Sequence, residues 1–406
     1  MHIPLRELWW LAAGGAGYGA RYVKLRWHSV TTASRVLFTD EDPTPELLRL
    51  QNLHGYNAHA LVSIMPGAKT WSTPAIDGAI IYSEFGRVWL AVGDPLAADA
   101  EVRELARRFV AAARKKRRIP AFVPATARFA REAVEAGLVA VKIGAAPYFD
   151  LQKWAPRGDH AKKVRSGVNQ ARRAGVRVEA IETSGAEIRK DTETLCQSWL
   201  KSRRAATKFG WLFVLDPFQH AEQKRFFAAR DESGLLVGFL AASPMPARDG
   251  WYLEDVLRQP DAPAGTADLL VIEALTRLAA SGAKCATLGT SPLAREGEQV
   301  VVCGHRLIER MVQKVSRRLE RFYNFEGLRR FKAKFVPTWW ESEYVLVPRG
   351  MAVPPLVTYA IIRAIVPGGI AQLITRQVAR TLKVKRKKTK TKEGRRGREA
   401  QKKHEN

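Results

Sequence analysis

From about residue 45 to residue 348, short apolar runs alternate with stretches whose apolar positions recur every three or four residues. That is the pattern of strands interleaved with amphipathic helices. Thr44 followed by Pro45 predicts a helix over 45–53, since a threonine cap and a first-turn proline need no early amide donor, and Gly55 ends it. Residues 60–65, 79–84 and 87–92 are rich in Val, Ile, Trp and Tyr and read as antiparallel strands, with Gly86 turning a hairpin between the last two. A helix over 99–116, an apolar run at 121–124, a helix over 127–136 closed by Gly137, and strands near 138–143 and 148–151 follow.

A second round starts near His160. The pattern predicts a helix over 161–174 stopped by Gly175, a strand at 176–181, helices over 187–205 and 217–230, strands at 235–241 and 251–257, a helix over 266–280 and a strand at 285–288. The repeated order implies an α/β (α+β) fold class with two tandem units, bounded at 44–151 and 152–349. They are flanked by an N-terminal segment, 1–43, an apolar segment, 350–382, and a basic tail, 383–406.

Composition adds little for the body: with 46% hydrophobic and 26% charged residues in 406, it excludes wholesale disorder, a collagen-like repeat and a polytopic membrane bundle. Charge adds more. Sixty-seven basic against 40 acidic residues leave +27, which selects polyanionic partners, nucleic acid or an anionic lipid surface. The tail holds 12 basic and 3 acidic residues, so the remaining 382 still carry +18. Cys196, Cys285 and Cys303 form neither a paired framework nor a metal spacing, and a reducing, cytoplasmic location is expected. The uncharged stretch 8–20 is 13 residues long with four glycines, short of the roughly 20 a spanning helix needs. Uncharged stretches at 350–362 and 364–375 flank Arg363 and are broken by Pro354, Pro355, Pro367, Gly368 and Gly369. They suit either short helices lying in a membrane interface, with the tail on acidic headgroups, or a helix packed on the domain before a solvated tail.

Three clusters carry candidate chemistry. Between 161 and 178 no acid occurs, and Lys162, Arg165, Asn169, Arg172 and Arg173 share a helix face, a cationic stripe suited to phosphates and equally compatible with a solvated surface. In 329–335, an extended chain would place Arg330, Lys332 and Lys334 on one face and Phe331 and Phe335 on the other, to stabilise a developing oxyanion or a lipid phosphate, or merely to guard a sheet edge. At the end of a strand, Glu254, Asp255 and Arg258 offer a carboxylate as base or ammonium anchor and an electrostatic clamp, or else an ordinary ion pair. The histidines form no metal pair and no GxSxG elbow occurs, so neither a metal nor a serine triad is expected. The loop 259–266 has only Gly265, while Pro260 and Pro263 remove amide donors, which argues against a pyrophosphate cradle and a coenzyme A cofactor.

The segments Leu53-His54-Gly55-Tyr56-Asn57, Gly93-Asp94-Pro95, Phe209-Gly210, Asp255-Val256-Leu257-Arg258 and the run from Tyr323 to Phe335, followed by Pro337, Trp339 and Trp340, resemble the cytosolic domain of the aminoacyl-phosphatidylglycerol synthases, the multiple peptide resistance factor family. The resemblance covers residues 47–348 and implies two tandem acetyltransferase-like (GNAT) folds with mixed central sheets. It further implies transfer of an aminoacyl group, usually lysyl or alanyl, from aminoacyl-tRNA to a hydroxyl of phosphatidylglycerol at the cytoplasmic membrane face, a phosphatidylglycerol lysyltransferase-like reaction. The expected partners are then aminoacyl-tRNA, an anionic phospholipid and the membrane surface. An activated ester needs no cofactor. Asp255 would be base or amine anchor, with Arg258, Lys332 and Lys334 as electrostatic partners. Members usually show Asp-Leu-Met-Arg where this chain has Asp-Val-Leu-Arg, and they carry an N-terminal flippase domain that this sequence does not show. Two other readings stay open: a tRNA-dependent transferase with a peptide, cell-wall precursor or small-molecule acceptor, and a non-catalytic tRNA- or membrane-binding module.

Overall fold

The computed structural model describes residues 45–181, 185–202, 215–298, 324–348 and 354–365. The segment 1–43, Thr44, Phe209-Gly210, Cys303, Tyr323, the stretch 366–382 and the tail 383–406 lie outside the described residues. The chain first lays down β1 (Lys69–Thr73), β2 (Ile76–Phe85), β3 (Val88–Val92), β4 (Leu96–Ala97), β5 (Ile119–Thr126) and β6 (Leu138–Asp150). It continues with β7 (Arg177–Ile181), β8 (Arg225–Arg230), β9 (Leu236–Met245), β10 (Gly250–Arg258), β11 (Cys285–Thr287), β12 (Ser291–Pro292) and β13 (Trp339–Pro348). These form one open sheet in the order β1-β2-β3-β5-β13-β6-β11-β10-β9-β8-β7, with β4 on β2 and β12 on β6. The pairs β3–β5 and β10–β11 are parallel and the others antiparallel, so the fold is α+β with a mixed sheet.

Among the described residues, eight helices accompany the sheet: α1 (Pro45–His54), α2 (Val102–Lys115), α3 (Ala127–Glu135), α4 (Lys162–Arg173), α5 (Ala186–Ser202), α6 (Thr266–Ala280), α7 (Phe325–Ala333) and α8 (Pro354–Ile365). In α2, Val102, Leu105, Ala106, Phe109, Val110 and Ala113 recur at helical spacing and are all buried. Helix α3 is capped by Thr126, whose hydroxyl oxygen accepts the Phe129 N–H at 3.2 Å. Strand β13 shows how both sheet faces are used. Tyr344 and Leu346 join the core under α2 and α3, whereas Val345 and Val347 join the one under α8. A separate core, from Phe149 to Leu288 and including Phe335, lies under α4 and α6.

Several expectations are corrected. Residues 60–65 form turns, not a strand. The expected helix 217–230 is a turn followed by β8, whose Phe226, Phe227, Ala228 and Ala229 are buried on both faces, so the apolar run imitates a buried helix. The strands expected at 138–143 and 148–151 are one 13-residue strand, β6. Residues 329–333 belong to helix α7 rather than to an extended edge, so Arg330, Lys332 and Lys334 do not share a strand face. Residues 339–348, inside the expected second unit 152–349 but assigned no strand there, form β13, which is inserted between β5 and β6. Among the described residues, no helix is long and apolar enough to cross a membrane.

Candidate functional site

Glu254 and Asp255 sit on β10 where its register against β9 slips: Leu253 faces Ala242 and Asp255 faces Ala241, leaving Glu254 as the extra residue of a bulge. A regular strand would send adjacent side chains to opposite faces; at this bulge Lys224 pairs with Glu254, and its charge acts on Asp255 as well. The Lys224 ammonium, its side chain 1% exposed, pairs with Glu254 and also donates to the Pro217 carbonyl at 3.3 Å. Ser243 Oγ donates to the other Glu254 oxygen at 2.5 Å. Burial pushes the Asp255 carboxyl well above the usual range, the Glu254 and Asp216 charges add to that, and Lys224 opposes it. Asp216, itself buried, is raised for the same first reason. Three carboxylates thus share one cation, an environment that favours either a retained proton or an incoming ammonium.

A second buried group lies at the junction of β6, β11 and β13. Lys332 Nζ, at the end of α7, donates to the carbonyls of Gly289 and Thr290 at 2.9 and 2.7 Å. Gly289 has φ +71°, and a carbon added there would lie 2.4 Å from the Tyr252 ring, so only glycine brings this turn so close to Tyr252. Burial lowers the Lys332 ammonium to about 7 against the pull of Glu343. Burial likewise raises the Glu343 carboxyl to about 7, opposed by the Thr290 hydroxyl and Lys332. His59 is driven down to about 4 by burial and by the Lys332 charge, so its ring, 5.5 Å from that of Tyr252, is neutral near pH 7.

These shifts give a pH signature. The raised Glu343 loses stabilising effect as pH climbs from 4.5 to about 7, whereas the lowered Lys332 gains it from about 7 to 10.5. The stability of the protein relative to a Lys332→Met/Glu343→Gln double variant is therefore expected to pass through a minimum near pH 7 in urea unfolding. Each tenfold change in proton affinity between the folded and unfolded chain corresponds to about 1.4 kcal/mol, which makes the dip a few kcal/mol deep. A difference that does not vary with pH would contradict the pairing.

The remaining sequence candidates separate. Lys334 pairs with Asp268 of α6 and lies over the Phe331 and Phe335 rings at 4.5 and 5.2 Å, away from the Lys332 contacts. Arg330 is exposed, 3.4 Å from Glu326. Arg258, at the exposed end of β10, donates to the carbonyls of Gln259 and Pro260 at 3.1 and 3.4 Å rather than to Asp255. The stripe on α4 is real as a surface. Val164, Val168 and Ala171 are buried, while Lys162, Arg165, Asn169 and Arg173 line, with Ser166 and Gln170, a surface groove of about 540 Å³. Arg172 instead pairs with Glu273 of α6 at 2.8 Å. Gly265 abuts α4: a carbon there would lie 1.9 Å from the Gly167 carbonyl oxygen, so this glycine serves helix packing.

Two sequence motifs of the first half meet. Asn57 Nδ2 donates to Asp94 Oδ1 at 3.0 Å and to the Pro124 carbonyl at 2.9 Å, and Thr126 donates to both Asp94 oxygens. Next to them, the Arg248 guanidinium stacks on Tyr56 at 3.7 Å and pairs with Glu341, its Nη2 donating to both carboxylate oxygens at 2.7 and 2.8 Å. That pair ties the turn before β10 to β13. The sequence does not single out Lys224, Asp216, His59, Tyr252 or Glu343. Only His59, two residues beyond the Asn57 motif, carries a local signal.

A family model described as "Phosphatidylglycerol lysyltransferase, C-terminal" matches residues 49–347. The lysylphosphatidylglycerol biosynthesis bifunctional protein LysX of Mycobacterium avium (strain 104) is 25% identical over 279 residues, 65% of this chain and 23% of that protein. The chain therefore spans about a quarter of the length of this relative. The crystal structure of the C-terminal domain of a putative lysylphosphatidylglycerol synthetase from Agrobacterium fabrum superposes with a TM-score of 0.66 at 24% identity, covering 79% of this chain and 96% of that one. The structure of L-PGS from Bacillus licheniformis gives the same TM-score at 19% identity, with the same coverage of 79% and 96%. The two structures share this fold. Because the family match runs unbroken from α1 to β13, through the β10 bulge and the Lys332–Glu343 group, the chain belongs to the family of phosphatidylglycerol lysyltransferase C-terminal domains.

Proposed function

We propose that this protein transfers an aminoacyl group, lysyl or alanyl, from aminoacyl-tRNA to the hydroxyl of phosphatidylglycerol or a related anionic lipid, on a scaffold of two GNAT-like halves. The observation that carries the reading is the family match over residues 49–347, which encloses both buried titratable groups. The separate cores below α2–α3 and below α4–α6 support the two-half description.

In the transfer, the lipid hydroxyl oxygen forms a bond to the aminoacyl carbonyl carbon, the ester bond to ribose breaks, and the ribose oxygen takes up a proton. Asp255 either accepts the hydroxyl proton or holds the ammonium of the aminoacyl group. The surplus of carboxylates over cations around Lys224 suits both tasks, because a raised carboxyl takes a proton near neutral pH and an entering ammonium compensates buried negative charge. Lys332 holds the Gly289–Thr290 turn against Tyr252, a supporting role. Lys334 and Arg258, held by Asp268 and by backbone carbonyls, take no part in the proton step. The groove along α4 offers cations to the tRNA backbone, a contact that positions the donor without reading sequence. The site of action is the anionic face of the cytoplasmic membrane.

Purified full-length chain, lysyl- or alanyl-tRNA and phosphatidylglycerol vesicles are expected to yield a ninhydrin-positive lipid that migrates more cationically than its parent. No product from any aminoacyl-tRNA would overturn the reading, and product formed only with a water-soluble acceptor would reassign the acceptor.

A further inference from the structure

Helix α8 lies beyond the family match, which ends at residue 347, yet it is built into the fold. Val357, Ala360 and Ala364 are at most 3% exposed and close the core over β3, β5, β6 and β13. The arc beside it is open among the described residues, bounded on its other side by Ile362, which is 7% exposed. Leu356 and Tyr359 are 46% and 48% exposed, two of the few large apolar side chains left open there, and Pro355 and Arg363 are exposed on the same arc. At 100° per residue these four positions fall within about 100° of one another. The helix contains no acid.

We infer that this outer face of α8 is a docking surface for an anionic lipid bilayer, with the helix lying along the interface. Two leucine- and tyrosine-sized apolar groups flanked by an arginine match the boundary between acyl chains and headgroups, where Tyr places its ring below and its hydroxyl at the polar level. A helix of 12 residues is about 18 Å long, too short to cross the hydrocarbon but suited to lie on it. Charge complementarity selects lipid over a protein partner: the sequence that follows, 366–406, holds 14 basic and 3 acidic residues. Strand β3, which shares a core with the helix, is buried along its whole length, so docking through α8 would set the orientation of the sheet on the bilayer.

The test is co-sedimentation of the full chain with mixed phosphatidylcholine and phosphatidylglycerol vesicles, without tRNA, at low and high salt. Binding without a donor keeps this inference separate from the transfer reading. High salt screens the tail and leaves the apolar contact. Leu356→Asp/Tyr359→Asp is expected to abolish the salt-resistant fraction and to lower total partitioning at least about tenfold, whereas deletion of 383–406 removes mainly the salt-sensitive fraction. Because both side chains are half-exposed, thermal unfolding should be unchanged; should the aspartates unfold the helix, Leu356→Gln/Tyr359→Gln with the same readout replaces them. Unchanged salt-resistant binding in the folded variant overturns the inference. So does a concentration-dependent dimer that the double substitution dissolves, which would assign the face to a second copy of the chain.

Discussion

Asp255→Asn is expected to lower aminoacyl transfer to phosphatidylglycerol by roughly 10²- to 10⁴-fold, the range for loss of a positioned acid–base group, while leaving the fold as stable as before or more so. The two halves of this expectation come from the same physical fact. Burial holds the Asp255 carboxyl well above its ordinary range, so near neutral pH the folded protein either retains a proton that the unfolded chain has lost or bears a poorly solvated charge. An amide of the same shape carries no such penalty. The stability contributed by a group with a raised carboxyl falls as pH rises through its shifted value, so the variant should gain on the wild type as pH increases. An ordinary surface ion pair behaves in the opposite way. Turnover with lysyl- and alanyl-tRNA, read beside urea unfolding at several pH values, separates the cases. An Asn variant that turns over normally would remove Asp255 from the reaction. One that is inactive and also destabilised would make it a structural residue.

Local pattern marks Asp255 as a candidate and leaves its surroundings unmarked, because the two are encoded differently. Asp255 lies in a four-residue motif on a strand, and the strand, the parallel neighbour β11 and the following helix α6 can all be read from the local sequence pattern. Of the charges that act on Asp255, Glu254 adjoins it in sequence, but Lys224 and Asp216 come from a segment whose apolar run imitates a helix. Local pattern does not encode such meetings. Strand β13 makes the same point for the fold. Its alternation of Tyr344 and Leu346 with Val345 and Val347 serves two different cores, so both faces read as apolar and the strand merges with its neighbours in sequence. Nothing near Trp339 announces that the chain returns about 200 residues to enter between β5 and β6. The run 329–335 misleads for a further reason. Alternating cations and phenylalanines satisfy a period of two, but Asn324 caps a helix there by accepting the Gly327 N–H at 2.8 Å, and tertiary contacts take Lys332 and Lys334 in different directions. Legibility was highest on the α4 face, where no partner from another element is needed to make the stripe.

Lys224→Met is expected to destabilise the protein by about 3–5 kcal/mol, because it strands a buried carboxylate. The Lys224 and Glu254 side chains are 1% and 6% exposed, so water cannot replace the missing ammonium. Ser243 would still donate to one Glu254 oxygen, but one hydroxyl does not compensate a full charge, and Asp255 and Asp216 lie in the same neighbourhood. The carboxylates would respond by holding protons, so the loss should be small at low pH and grow as pH rises. The matched variant Lys224→Met/Glu254→Leu removes both ends of the pair and is expected to recover most of the stability, since two apolar groups of similar volume avoid the desolvation cost that an ion pair must offset. A double-mutant cycle from urea unfolding gives the coupling energy directly. If the double variant loses the sum of what Lys224→Met and Glu254→Leu lose singly, the ion pair has no special coupling and Lys224 is acting through packing alone. If the double variant is stable yet inactive in lipid aminoacylation, the pair is retained for what it does to Asp255, and the cost of burying three carboxylates around one lysine belongs to the chemistry of the site.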